Sequence, residues 1–110
     1  MIQLRSYVDA QGSQPFVDWF TTLDAAAAAR VTIALTRMEC GNFSNTKGVR
    51  LGVYEYKIDF GPGYRIYFGK DGDRLVILLG GGSKKRQQQD IAHAQKLWSD
   101  YKRRKKEKIP

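Results

Sequence analysis

The sequence predicts an α+β fold in the order βααβββα, a small antiparallel sheet packed on two N-terminal helices and a C-terminal helix. Three observations support that order. Apolar and polar residues alternate through "VYEYKIDF" and again through "YRIYFG", the period of strands with one buried face. Two turn signals, Gly61-Pro62-Gly63 and Asp71-Gly72, punctuate this stretch. The segments on either side of it repeat their apolar residues at helical spacing instead.

In chain order, "MIQLRSYVD" alternates Ile2, Leu4 and Val8 and reads as a strand. "SQPFVDWFTTL" places Phe16, Trp19, Phe20 and Leu23 on one helical face, with Pro15 tolerated in the first turn. A second helix starts at Asp24 as N-cap, buries Ala27, Val31, Ala34, Leu35 and Met38, and stops at Gly41. Residues 41–52 carry loop chemistry. A three-residue Gly61-Pro62-Gly63 loop would pair Phe60 with Tyr64, Ile58 with Ile66 and Tyr56 with Phe68, keeping the apolar set on one face. A two-residue Asp71-Gly72 turn would pair Phe68 with Leu75, Ile66 with Ile77 and Tyr64 with Leu79. The last helix is capped by Ser83 and buries Ile91, Ala94, Trp98 and Tyr101.

The composition narrows the function classes. One hundred and ten residues, 42% hydrophobic, suit a single domain spanning 1–110, with 102–110 as a basic tail prone to fray. One cysteine, Cys40, excludes an internal disulfide framework, and one histidine, His93, leaves no ligand cluster for a metal. His93 reads best as a partly packed surface residue. No run approaches the roughly 20 apolar residues of a membrane span, and the N-terminus lacks a secretion signal, so a cytoplasmic protein is expected. Charge is uneven. Residues 1–82 hold nine Lys/Arg against eight Asp/Glu, whereas residues 83–110 hold ten against three. Nearly all of the net charge of +8 therefore lies in the last quarter of the chain, which favours a polyanionic partner.

The expected register leaves Lys57, Arg65 and Tyr67 on a face turned away from the core, with Asp59 opposite Arg65 and Lys57 diagonal to it. Arg65 could grip a phosphate there or simply pair with Asp59. The strand ending at Leu79 leads through Gly80-Gly81-Gly82 to Lys84, Lys85 and Arg86. Cations are unfavourable at a helix start by about 0.3–1 kcal/mol each, so bound phosphate would rationalise them. "GGGSKK" lacks the spacing of a P-loop.

These residues bring in a family. The stretch "VYEYKIDFGPGYRIYFGKDGDRLVILLGGGSKKRQQQDIAHAQKLWSDY", together with "PFVDWFTTLDAAAAARV", resembles the RelE/ParE toxins, in particular their HigB-like addiction module killer group. The resemblance implies a type II toxin that cleaves mRNA on the translating ribosome without metal or cofactor. It also implies silencing by a cognate antitoxin, a small helix-turn-helix protein. By that resemblance Arg65 stabilises the phosphate, Lys57 moves a proton, and Lys84 and Lys85 supply a second basic position. Glu55 stands where RelE has a lysine; it could orient Lys57 or accept the 2′-hydroxyl proton itself. No tyrosine stands near Ala92, where RelE has a catalytic one. Lys47, Arg50, Tyr67 and Arg86 are candidate RNA contacts, Tyr67 by stacking on a base. Val53, Tyr67, Val76 and Leu78 would offer apolar surface to an acidic antitoxin segment. Two other readings stay open: a ParE-like inhibitor that binds gyrase, and an inert basic RNA-binding domain.

Overall fold

A computed structural model describes residues 1–107, and residues 108–110 fall outside it. The elements are β1 (Gln3–Ser6), α1 (Pro15–Phe20), α2 (Ala25–Glu39), β2 (Thr46–Gly48), β3 (Val53–Ile58), β4 (Tyr64–Asp71) and β5 (Leu75–Gly82). A 3-10 turn (Lys84–Arg86) then leads into α3 (Gln87–Glu107). The fold is α+β, with one mixed five-stranded sheet in the order β1-β5-β4-β3-β2.

The sheet is larger than the sequence predicts. β1 joins it beside β5 in parallel, Leu4 opposite Val76. Residues 46–48, expected as loop, form the other edge strand against β3. That strand is three residues long and carries Thr-Lys-Gly, too short for alternation to declare it.

Helix α2 follows expectation. The Asp24 side chain accepts a hydrogen bond from the Ala27 N–H at 2.8 Å, and Gly41 ends the helix with φ of 83°. Its inner stripe, Ala27, Val31, Ala34 and Met38, is buried against Tyr56, Ile58, Ile66, Phe68, Val76 and Leu78 of the sheet.

The other sheet face is not open. Tyr7, Val53, Tyr67, Ile77 and Leu79 form a second apolar cluster with Ala94 and Trp98 of α3. This overturns the expected docking surface for a partner. Val53 and Tyr67 lie beneath α3, and Val76 and Leu78 face α1 and α2. The physical cause is the β4–β5 connection. Its last pair is Asp71 with Leu75, leaving a three-residue loop rather than two, and a bulge follows between Tyr67 and Phe68. Shifting a strand by an odd number of residues exchanges its faces, so Val76 and Leu78 turn to the first core while Ile77 and Leu79 turn to the second.

The end of α3 departs from the expected tail. Residues 102–107 are helical, and Arg103, Arg104 and Lys105 make ion pairs with Asp100, Glu107 and Asp71. The rest of the proposed tail lies outside the described residues. No helix among the described residues is long and apolar enough to cross a membrane.

Candidate functional site

Residues 59–63 connect β3 to β4, two residues more than the expected loop. The longer bend moves each pairing by two, so Ile58 meets Tyr64, Tyr56 meets Ile66 and Tyr54 meets Phe68. An even shift preserves the faces but changes the neighbours. Lys57 now stands directly opposite Arg65 rather than diagonal to it, and Glu55 stands opposite Tyr67.

The bend itself gathers the cations. Gly63 has φ of 77°, a conformation that glycine adopts without steric cost. A Cβ at Gly63 would lie 3.0 Å from Arg65 Nη1 and 3.5 Å from Lys84 Cβ. The Lys84 N–H donates to the Pro62 carbonyl at 3.3 Å. Arg65 and Lys84, nineteen positions apart in sequence, thus meet over one glycine.

Arg65 is only 5% exposed. Its Nη1 donates to the Gly63 carbonyl at 2.5 Å, and its Nε sits 3.7 Å from Glu55 Oε1 without a hydrogen-bond partner. Asp59 lies in the bend, where it pairs with Lys57 at 3.7 Å; Arg65 pairs with Glu55 instead.

Glu55 is equally buried and ties four elements together. Gln87 Nε2 of α3 donates to Glu55 Oε2 at 2.8 Å, and Lys47 Nζ of β2 stands 3.8 Å from Oε1. Its contacts are therefore with Arg65, Gln87 and Lys47 rather than Lys57. They hold the guanidinium of Arg65 in place.

The remaining expected residues divide. Lys84, Lys85 and Arg86 are exposed in the 3-10 turn ahead of α3, so they precede the helix rather than opening it. With Gln87, Gln88 and Gln89 they line a depression of about 480 Å³. Arg50 is exposed at the β2–β3 turn, where Arg50, Leu51 and Gly52 all have positive φ. Tyr67 is a correction. It is 1% exposed beneath α3, so its ring cannot stack on a base. Burial, and then the neighbouring charges of Glu55 and Asp90, push its pKa well above the usual tyrosine range.

Gly81 and Gly82 serve the protein's own packing rather than an approaching ligand, whereas a Cβ at Gly80 would meet nothing within 4 Å. The Trp19 ring lies where a Gly81 Cβ would stand, 2.2 Å from its nearest carbon, and the Asp90 carboxyl occupies the same place at Gly82, 1.9 Å away. Asp90 Oδ2 is buried without a partner, and that burial raises its pKa. Sequence reasoning missed both Gln87 and Asp90. Gln87 is one of three consecutive glutamines, and only the packing distinguishes it from Gln88 and Gln89.

The arrangement can bind an anion. Lys57 and Lys84 lie beside a buried guanidinium paired with a carboxylate, and Lys85 and Arg86 stand exposed in the adjoining turn. Among the described residues no cluster of His, Cys, Asp or Glu converges as a metal would require.

Comparison with known proteins gives kinship without a function. No family model matches the chain. Over 83 residues it is 40% identical to an uncharacterized protein of Haemophilus influenzae, a match spanning 74% of this chain and 84% of the relative. The chain belongs to the same family as that protein.

Proposed function

We propose that the protein is the toxin of a type II toxin–antitoxin pair, of the RelE/ParE kind, cleaving mRNA on the ribosome in the cytoplasm. One observation carries this reading: Arg65 and Lys84 meet on Gly63, with Lys57 paired across the strands from Arg65. In the proposed step the ribose 2′-oxygen attacks the adjacent phosphorus and the 5′-oxygen leaves, giving a 2′,3′-cyclic phosphate and a free 5′-hydroxyl. Lys57, as the amine, takes the 2′-hydroxyl proton, and Lys84 or Lys85 returns one to the leaving oxygen. Arg65 exchanges its bond to the Gly63 carbonyl for a phosphate oxygen and offsets the charge of the phosphorane. Glu55, held by Gln87, keeps Arg65 aligned, and Lys47, Arg50 and Arg86 hold the RNA backbone. A cognate antitoxin of the helix-turn-helix kind restrains the activity.

A purified translation system programmed with one mRNA tests this, with primer extension to locate breaks. Cuts within codons, dependent on ribosomes, are expected. Arg65→Ala would strand the buried Glu55 charge and unsettle the fold, so Arg65→Lys is the better probe. It keeps a cation beside Glu55 but loses the fork that matches phosphate. Cleavage should fall by about 10²–10³ while circular dichroism stays unchanged. Intact mRNA together with a DNA-damage response in expressing cells would move the assignment to a gyrase-binding inhibitor. Intact mRNA without one would leave an RNA-binding domain.

A further inference from the structure

Five buried side-chain polar atoms make no hydrogen bond among the described residues, and three of them share the layer beneath the start of α3: Arg65 Nε, the Tyr67 hydroxyl and Asp90 Oδ2. The ladder sets Arg65 directly opposite Gly82 of β5. Gly82 has no side chain, and the Asp90 carboxyl fills the place its Cβ would take. Directly opposed residues hold their Cβ atoms about 4.5–5.5 Å apart, so Asp90 stands beside the stem of Arg65. Gln87, three residues earlier on the same helical face, reaches Glu55 on the β3 side of Arg65. The start of α3 thus brings two side chains into one layer, and the cleavage step above uses only the first. A carboxylate in the first turn helps a helix by its charge alone. That role asks for no buried oxygen, and it leaves both the glycine and the orphan acceptor unexplained.

We propose that Asp90 is a positioning residue for Arg65, a second carboxylate that competes with the bend for its guanidinium. With a proton on Asp90, the layer holds one positive and one negative group, Arg65 and Glu55. Arg65 Nη1 then stays on the Gly63 carbonyl, at the edge where an anion would arrive. Without that proton, an acceptor lacking a donor and a donor lacking an acceptor, Oδ2 and Nε, carry opposite charge within one layer. Rotation of the Arg65 side chain joins them, because the attraction of opposite charges at low dielectric outweighs one bond to a carbonyl. Glu55 keeps Gln87 and Lys47 in either state. The groups facing Asp90 set the direction. Arg86 of the 3-10 turn and His93 of α3 favour its anion, but burial opposes them and prevails, so the carboxyl titrates above the ordinary 3.8. Tyr67 of β4 faces it from the sheet with Glu55 of β3 beyond, and Gly82 of β5 brings no charge. Arg65 is therefore available to an anion below the Asp90 midpoint and withdrawn above it. By reciprocity an anion that draws Arg65 outward makes Asp90 take up a proton. The consequence for mRNA cleavage rests on the function proposed above, whereas the coupling of Asp90 to Arg65 does not.

The test uses the full chain, isotopically labelled for NMR, with sulfate as the probe because its charge is constant over the range. Asp90 Cγ should titrate above 3.8, and Arg65 Nε should follow it with the same midpoint. Saturating sulfate should raise that midpoint, and sulfate should bind at least about fivefold more tightly below it than above it. Asp90→Asn keeps the shape without the charge. It should bind sulfate at neutral pH as tightly as the parent does in acid, with Arg65 Nε no longer titrating. His93→Gln should leave the coupling in place. A merely structural Asp90 would move none of these readouts. An Arg65 Nε that ignores the Asp90 titration, a midpoint indifferent to sulfate, or parallel pH profiles for the parent and Asp90→Asn would each overturn the proposal. The parent's own titration decides the matter even where Asp90→Asn fails to fold. The translation assay separates the two inferences. Arg65 following Asp90 in a parent that leaves mRNA intact would defeat only the nuclease. Cuts within codons by a parent whose Arg65 is indifferent to Asp90 would defeat only the coupling.

Discussion

Arg65 shows how one side chain can be both structural and poised for chemistry. Its guanidinium is inside the protein, compensated by Glu55 and the Gly63 carbonyl, and breaking such a buried pair typically costs about 3–5 kcal/mol. The same pairing holds the charge at a fixed point beside the bend. Tyr67, its neighbour two residues on, sits in the same buried layer, its hydroxyl near the Glu55 carboxylate but without a hydrogen bond of normal geometry. Removing a buried hydroxyl that makes no hydrogen bond is close to neutral or favourable. Tyr67→Phe should therefore leave the midpoint of urea unfolding unchanged or raise it, with a shift within about 0.5 kcal/mol. A loss well beyond that would mean that the hydroxyl has a partner, and the layer would need redrawing.

At the scale of elements, α3 is clamped at both ends and centred on a ring. Trp98 lies over Gly69, where a Cβ would stand 2.5 Å from the indole, and stacks on Tyr101 with centroids 5.1 Å apart. Gln87 ties the first turn to Glu55. At the far end Tyr101 donates to Asp71 at 2.6 Å, Lys105 pairs with the same carboxylate, and Tyr7 of the β1 end donates to Asp100. Hydrogen bonds from Lys105 and Tyr101 hold Asp71 below the ordinary value of 3.8, and that from Tyr7 does the same for Asp100. A carboxylate depressed in the folded state stabilises above its unfolded pKa, and the gain disappears as pH falls through the folded one. Tyr101, pushed up to about 12 by burial and then by Asp71, adds the opposite limb, with stability lost as pH rises past 10 toward that value. Asp71→Asn should lower the thermal midpoint at neutral pH, and the difference from the parent should vanish in acid. Thermal melts followed from neutral pH down through the carboxylate range check this; a difference that persists below pH 3 would show that the effect is packing rather than charge.

Across the whole molecule, charge is distributed by use as well as by number. Lys84, Lys85 and Arg86 are exposed, and none of them forms an ion pair among the described residues. Arg103, Arg104 and Lys105 already have carboxylate partners. Each phosphate neutralised on a single strand contributes about 0.7 to the salt slope of binding. Replacing Lys84, Lys85 and Arg86 by alanine should therefore reduce that slope for an RNA oligonucleotide by about 2. Replacing Arg103, Arg104 and Lys105 should change it less. Fluorescence anisotropy over a salt series measures both, and equal effects would show that the basic stretch acts as undifferentiated charge.

The sequence by itself determined the α+β class, the Asp24 cap, the stripes of α2 and α3 and the chain order of the principal elements, because each rests on periods and caps within a few residues. It also placed Lys57 and Arg65 on one face, since alternation survives an even slip of register. Only the tertiary structure decided which face β5 presents, because one extra loop residue was invisible in the pattern and moved β5 by three positions against β4, exchanging Val76 and Leu78 with Ile77 and Leu79. It likewise decided that Tyr67 is buried, that Glu55 serves Arg65, and that Gln87 rather than its neighbours closes the layer. The burial of Tyr67 and the choice of Gln87 depend on where a helix twenty or more residues away comes to rest, and the pairing of Glu55 with Arg65 on a register set across a hairpin; local propensity carries no record of either.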